Sequence, residues 1–216
     1  MVVGIVAAAG RGERLGGATP KAFVVCAGKP LLEWSAEVLG AVCDRVVVAV
    51  PPGHEGDGPD RVAGGGSRSE SVRAALAAAP GARVAVVQDA ARPLVTAQLV
   101  RDCVAAVEEG WDGAVAAARV TDTVKEADGA GRVTRTLDRS RLWAIQTPQA
   151  FAAAALRRAL DAPAAALAAA TDDASLVEAA GGSVRVVEAP ADNLKVTGPL
   201  DLERAEALLL ARAAAG

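Results

Sequence analysis

The segment Val2-Val3-Gly4-Ile5-Val6-Ala7-Ala8-Ala9-Gly10-Arg11-Gly12-Glu13-Arg14-Leu15-Gly16-Gly17-Ala18-Thr19-Pro20-Lys21 decides the fold. Its first seven residues form a continuous apolar run of strand length, as expected of a strand buried on both faces of a parallel sheet. Small residues and glycines follow directly. Backbone can approach a ligand closely there, and the carboxyl ends of parallel strands are where open α/β sheets bind ligands. Successive N–H groups in a glycine-rich turn make a concave anion site. Arg14 and Lys21 add two full positive charges. The spacing is not that of a P-loop, and Gly10-Arg11-Gly12 lacks the third glycine of the dinucleotide fingerprint. Alone, the loop fits a kinase-like, a dinucleotide-binding or a nucleotidyl-transferring protein equally well.

Working outward, strand-like runs at 46–50 and 84–88 alternate with helical runs at 30–39, 69–79 and 96–109. Thr96 suits the N-cap of the last helix and Gly110 its end. This alternation predicts an α/β fold: one Rossmann-like, mostly parallel twisted sheet with helices on both faces, in a single domain over 1–216. The pattern changes after Gly113. Strand-like runs at 115–125 and 133–137 flank Asp128-Gly129-Ala130-Gly131, a hairpin turn signal. The resulting arm, about 117–139, projects from the sheet as a dimerisation element or as a plain surface hairpin. A short strand at 142–146, helices at 151–160 and 172–180, a strand at 184–187 and a helix at 199–215 complete the chain.

Composition narrows the function. Of 216 residues, 52% are hydrophobic, yet only three Trp and two Phe are aromatic, so Ala, Val and Leu build the core. The formal net charge of −3 provides no global field for nucleic acid or an anionic membrane. Anions must therefore meet local cationic clusters. The three cysteines (Cys26, Cys43, Cys103) show no metal or redox spacing, and the single histidine, His54, sits in a Pro/Gly loop. Neither a signal peptide nor a membrane span is read near the N-terminus, and a reducing cytoplasm is the expected compartment.

Two further motifs carry chemistry. Gly64-Gly65-Gly66-Ser67-Arg68-Ser69-Glu70-Ser71-Val72 permits close approach to a base or ribose, with Ser69 or Ser71 able to cap the following helix. Gln88-Asp89-Ala90-Ala91-Arg92-Pro93 follows a buried strand. Asp89 is the best carboxylate for a Mg²⁺–triphosphate, though a lone ligand, and Mg²⁺ takes most of its ligands from water and phosphates. A surface Asp89–Arg92 ion pair is the plainer alternative. Asp138-Arg139 reads equally as a hairpin-end ion pair, Thr171-Asp172 as a helix cap, and Lys195 as a solvated lysine.

The ordered set Ala-Ala-Gly-x-Gly-x-Arg…Pro-Lys, Gly-Gly-x-x-Arg-x-x-Ser-Val, Asp-Ala-Ala-Arg-Pro, Thr-Pro-Gln and Asp-Asn-x-Lys-Val-Thr resembles the 2-C-methyl-D-erythritol 4-phosphate cytidylyltransferases of the non-mevalonate isoprenoid pathway. The resemblance runs from about residue 2 to residue 209. It implies a CTP-dependent, Mg²⁺-assisted transfer of CMP to methylerythritol phosphate with release of pyrophosphate. Arg14 and Lys21 match the family's pair that stabilises the transition state. Ala8, Ala9, Gly10 and Gly12 match its triphosphate loop. Gly65 and Ser71 match its cytosine and ribose contacts, with Ala90 near the nucleotide. Asp89 and Arg92 match positions at the ribose or the acceptor. Arg139 and Lys195 match residues that hold the attacking phosphate, with Thr123 and Arg139 crossing to the partner's site in a homodimer. Thr147 and Asp192 lie in matching motifs. Two departures are Gly66, where many members carry Asp, and Ala22, where Gln is common. A cytidylyltransferase for another polyol phosphate, such as ribitol 5-phosphate, and a non-catalytic nucleotide-binding module are the alternatives.

Overall fold

The computed structural model describes residues 1–10, 19–56 and 60–215. In chain order the strands and helices are β1 (Val2–Ala7), β2 (Val25–Cys26), β3 (Lys29–Pro30), α1 (Leu31–Gly40), β4 (Arg45–Val50), β5 (Arg61–Ala63), α2 (Arg68–Ala77), β6 (Val84–Asp89), α3 (Ala97–Glu108), β7 (Gly113–Arg119), β8 (Lys125–Ala127), β9 (Val133–Thr136), β10 (Trp143–Ala152), α4 (Ala153–Leu160), α5 (Ala164–Ala169), α6 (Asp173–Ala179), β11 (Val184–Glu188) and α7 (Pro199–Ala215). Short 3-10 turns occupy Lys21–Phe23 and Arg139–Arg141.

Seven strands form the central sheet in the order β11-β7-β10-β6-β1-β4-β5. β10 runs antiparallel to both of its neighbours, and every other pairing is parallel. Side chains alternate between two cores, as the pleat requires. Val3 and Ile5 of β1 join Val47, Ala49, Ala85 and Val87 under α2, α4, α5 and α6. Val6 joins Val48, Val50, Val84 and Val86 under α1 and α3. All six residues of β6 are buried. A third cluster packs Leu209 and Ala205 of α7 on Cys26, Leu31, Leu94 and Val196.

The mostly parallel sheet with helices on both faces is as the alternation predicts, and Thr96 caps α3 through a bond from the Leu99 N–H, 3.2 Å. Two predicted boundaries need correction. The helix expected from residue 151 starts at Ala153, because Phe151 belongs to β10, where it is fully buried opposite Ala85 and Gly113. The strand expected over 115–125 is two strands, since β7 stops at Arg119 and β8 starts at Lys125. β5, α5 and the small β2–β3 pair were unassigned by sequence. β8 and β9 form a separate two-stranded sheet, exposed along its whole length. Their turn is held by Asp128, whose Oδ1 accepts from the N–H groups of Ala130 and Arg132, both 3.0 Å. Among the described residues no helix is long and apolar enough to cross a membrane.

Candidate active site

Parallel strands bring their carboxyl ends to one edge, and the glycine loops gather there. The Ala8 N–H donates to the Ala49 carbonyl at 2.9 Å, the Ala90 N–H to Ala7 at 3.3 Å, and the Gly64 N–H to Val50 at 2.7 Å. Ala8 and Ala90 are buried, Ala9 is half-buried and Gly10 is exposed. Gly64 binds the second motif to the first: a Cβ at this position would stand 2.3 Å from the Cβ of Ala9. At Gly65 a Cβ would stand 2.4 Å from the Cβ of Glu70. Ser67, rather than Ser69 or Ser71, caps α2. Its Oγ accepts from the Glu70 N–H at 3.2 Å, and Glu70 Oε2 accepts from the Ser67 N–H at 2.9 Å, a reciprocal capping box. The Ser71 hydroxyl accepts from the Gly65 N–H at 3.1 Å and donates to the Ser67 carbonyl at 2.9 Å. It therefore shapes the glycine loop from beneath.

Gly12 and Arg14 lie outside the described residues. Lys21 opens a 3-10 turn whose Phe23 ring lies 5.2 Å from that of His54, so the exposed loop histidine has an aromatic neighbour. Hydrogen bonds from the Thr197 hydroxyl, then from the N–H groups of Thr197 and Gly198, hold the Asp201 carboxyl below its ordinary value, and nearby Lys21 adds to this. The Lys21 turn and the segment after Lys195 therefore converge.

Asp89, at the end of β6, is the centre of the site. Its Oδ1 accepts from Arg68 Nε at 3.0 Å and its Oδ2 from Lys195 Nζ at 2.7 Å. The expected Asp89–Arg92 and solvated-Lys195 readings are both replaced by this arrangement. Burial raises the Asp89 pKa, but Arg68 and Lys195 outweigh it and bring the carboxyl down to about 2. On its other side Arg68 Nη1 donates to Asp173 Oδ2, a residue with no solvent exposure. Burial lowers the Arg68 pKa, yet Asp173 and Asp89 more than compensate and raise it; burial pushes Asp173 itself upward against Arg68.

The later motifs lock onto this centre. Thr147 Oγ1 accepts from the Asp89 N–H at 3.0 Å. Arg92 is buried and donates to the Asn193 carbonyl at 2.7 Å; burial depresses its pKa, Asp89 opposes that, and Arg68 adds to the depression. Asn193 Nδ2 reaches Gln146 Oε1 at 2.8 Å and the Thr147 carbonyl at 3.0 Å. A cavity of about 400 Å³ opens among Arg68, Asp89, Arg92, Thr147, Asp172 and Lys195.

Other candidates stand apart. Thr123 and Arg139 are exposed beside the hairpin, and Arg139 donates to the Thr121 carbonyl. Asp138 accepts from Ser140 in place of the expected pair with Arg139. Asp192 pairs with Arg212 of α7 at 2.7 Å. Sequence reasoning missed Arg68 and Asp173 as site residues. The signal for Arg68 was present, since it is the arginine of Gly-Gly-x-x-Arg, whereas Asp173 read only as a helix start. The cysteines are free and buried, and burial pushes their thiols up to about 11 at Cys26 and about 12 at Cys43 and Cys103, which removes thiolate chemistry at neutral pH.

No cluster of three or more metal-ligating His, Cys, Asp or Glu side chains exists among the described residues. Asp89 gives both oxygens to cations, so it does not fit as a direct metal ligand in this arrangement.

Gly10, the glycine turn at 64–66 and the cations Arg68, Arg92 and Lys195 lie by the carboxyl ends of the parallel strands, where α/β enzymes bind their ligands, and the chain's relatives make the class nucleotidyltransferase. The family model for "IspD: 2-C-methyl-D-erythritol 4-phosphate cytidylyltransferase" matches residues 2–211. The 2-C-methyl-D-erythritol 4-phosphate cytidylyltransferase of Saccharopolyspora erythraea is 47% identical over 225 residues, covering 96% of this chain and 99% of the relative. A bifunctional IspD/IspF enzyme of Anaeromyxobacter dehalogenans is also 47% identical, and the chain spans only 58% of that longer protein. Among solved structures, the Thermus thermophilus 2-C-methyl-D-erythritol 4-phosphate cytidylyltransferase superposes with a TM-score of 0.81 at 35% identity, covering 96% of this chain and 98% of that one. The chain belongs to the 2-C-methyl-D-erythritol 4-phosphate cytidylyltransferase family.

Proposed function

We propose that the chain transfers the cytidylyl group of CTP to 2-C-methyl-D-erythritol 4-phosphate in isoprenoid precursor biosynthesis. An oxygen of the acceptor phosphate attacks the α-phosphorus of CTP in line, and the bond from that phosphorus to the bridging oxygen breaks. Pyrophosphate departs with the electron pair. The nucleophile is already ionised, so no general base is required, and the reaction depends on positioning and charge neutralisation. Ala8, Ala9, Gly10 and Gly12 cradle the triphosphate, which brings its Mg²⁺ with it. Gly65 and Ala90 give the nucleoside room, with Ser71 shaping the Gly65 turn. Arg14 and Lys21 neutralise the transition state. Lys195, steadied by Asp89, receives the acceptor phosphate, and Arg92 and Thr147 hold the pocket wall. Asp192 acts through its pair with Arg212, fixing the segment that carries Lys195.

The observation that carries this reading is the Asp89–Lys195 pair, one cation held at the end of β6 on the wall of the cavity. The partner subunit's Thr123 and Arg139 complete the site in a homodimer built through the hairpin. The exposed apolar side chain of Val133 on the hairpin, at 55%, supports a covered arm. A reducing cytoplasmic setting and a single domain over 1–216 belong to the same proposal. The test is pyrophosphate release from CTP and Mg²⁺ with a panel of polyol phosphates. Turnover with methylerythritol phosphate is expected; turnover with ribitol 5-phosphate alone would overturn the acceptor assignment.

A further inference from the structure

Arg68 is out of place by the ordinary rules of helices. It is the first residue of α2, where the helix dipole disfavours a cation. The capping box is complete without it, because Ser67 and Glu70 satisfy each other. Its guanidinium is instead turned between two carboxylates, Asp89 and Asp173. Asp173 is equally unusual. It has no solvent exposure, and its Oδ1 has no hydrogen-bond partner, which is costly for a carboxyl group. Buried ion pairs rarely repay their desolvation in stability, so this cluster asks for a purpose at the site.

The four groups form one chain of alternating sign: Asp173, Arg68, Asp89, Lys195. Side-chain exposure is 0% at Asp173 and 42% at Lys195, so the chain runs from the core to the cavity. Lys195 is the most exposed of the four, and Arg68 and Asp89 line the same cavity behind it. We propose that Arg68, braced by Asp173, is a positioning residue that divides the charge of Asp89 so that Lys195 stays in place yet remains available to the acceptor phosphate. The inference rests on the reading of Lys195 given above.

The effect is electrostatic. An Asp89–Lys195 pair on its own is closed and neutral, and an incoming phosphate must displace the carboxylate to reach the ammonium. With Arg68 on the other oxygen, Asp89 divides its one negative charge between two cations instead of giving it all to Lys195, and Asp173 balances Arg68 on the far side. Asp89 can then lean on Arg68 while Lys195 turns toward phosphate. Asp173 lies on the far side of Arg68 and fixes the fork so that Nε faces Asp89. Removing Arg68 leaves a charged partner unsatisfied and closes the pair.

The test combines kinetics with a reading that needs no substrate. Arg68→Ala is expected to raise the acceptor KM about 10- to 100-fold, the range for a lost charged hydrogen bond, with the CTP KM unchanged and kcat less affected. Arg68→Lys keeps the cation and should bring the acceptor KM most of the way back, which also covers the case in which Arg68→Ala fails to fold. In Arg68→Ala/Asp89→Asn the KM penalty should be smaller than the product of the single penalties, because the closed pair is gone. The chain has only four lysines, at 21, 29, 125 and 195, so ¹³C-dimethyl-lysine spectra are resolvable, with Lys195 assigned by its loss in Lys195→Arg. Without substrate and at one fixed pH, the Lys195 signal should stand at a different position in Arg68→Ala from that in Arg68→Lys, as the pair with Asp89 closes, while the Lys29 and Lys125 signals stay in place. An unmoved Lys195 signal, or losses spread equally over kcat, both KM values and stability, would overturn the proposal. If Lys195→Ala leaves the acceptor KM unchanged while the Lys195 signal moves as expected in the Arg68 variants, the phosphate reading of Lys195 is what fails.

Discussion

Gly64 leaves no space for a side chain, and that makes the nucleotide edge testable one atom at a time. An added Cβ would stand 2.3 Å from Ala9 Cβ and 2.8 Å from Ser71 Oγ. The same atom at Gly66 would meet only Glu70 Oε2, at 3.2 Å, the movable end of a flexible side chain. Gly64→Ala should therefore cost about 1–3 kcal/mol of stability and weaken CTP binding, while Gly66→Ala should change either by far less. Denaturant titration and calorimetric CTP binding on both variants check this contrast, which equal effects would contradict. Asp89 gives a second prediction. Its carboxyl stands at about 2 against an ordinary 3.8, so the folded value lies below the unfolded one. A depressed acid adds stability above the unfolded value and loses it as pH falls toward the folded one. Its ion pairs are thus worth about 2 kcal/mol at neutral pH, lost between about pH 4 and 2. Asp89→Asn should lower neutral-pH stability by that order and flatten the acid slope in that window, as measured by unfolding at a series of pH values.

At the scale of elements, the legible part of the chain was the part governed by local periodicity. β1, β4 and β6 are buried on both faces and read as unbroken apolar runs, and Thr96 and Pro199 announce their helices. What failed was set by contacts distant in sequence. Phe151 sits in an alanine-rich run that suits a helix, yet its burial between Ala85 and Gly113 holds it in β10. Asp173 follows its cap Asp172 as any first-turn carboxylate would, and nothing nearby reveals that its partner is Arg68, 105 positions earlier. The glycine loop, Asp89 and Lys195 were legible by motif, but their convergence depends on strand order. The start of α2 is legible to within one residue, but its cap is Ser67 and not Ser69 or Ser71, because serines at alternate positions offer the same hydroxyl. The capping box names the winner, so Ser67→Ala should cost about 1 kcal/mol, whereas Ser69→Ala removes no cap. Thermal unfolding of the two variants distinguishes them, with a larger loss at Ser69 counting against the assignment.

For the molecule as a whole, the question is whether one chain holds a complete site. The hairpin leaves the sheet from a clamp, where Arg119 of β7 lies 4.4 Å over the ring of its cross-strand partner Trp143 of β10. Beyond the clamp the chain carries Arg139, exposed and absent from the cavity wall that Asp89 and Lys195 line. An arm whose cation does not line its own chain's cavity is useful if it delivers that cation to a symmetric neighbour. In such a dimer, each site combines Lys195 from one chain with the partner subunit's Arg139. Lys195→Ala and Arg139→Ala homodimers should then each be nearly inactive. Mixed under conditions of subunit exchange, they form heterodimers in which one of the two sites has both cations. Random pairing should restore about a quarter of wild-type activity. A tagged subunit in each population verifies that exchange has taken place. With exchange verified, no recovery of turnover would mean that Arg139 serves its own chain or neither, and the hairpin would then be a surface feature without a share in catalysis.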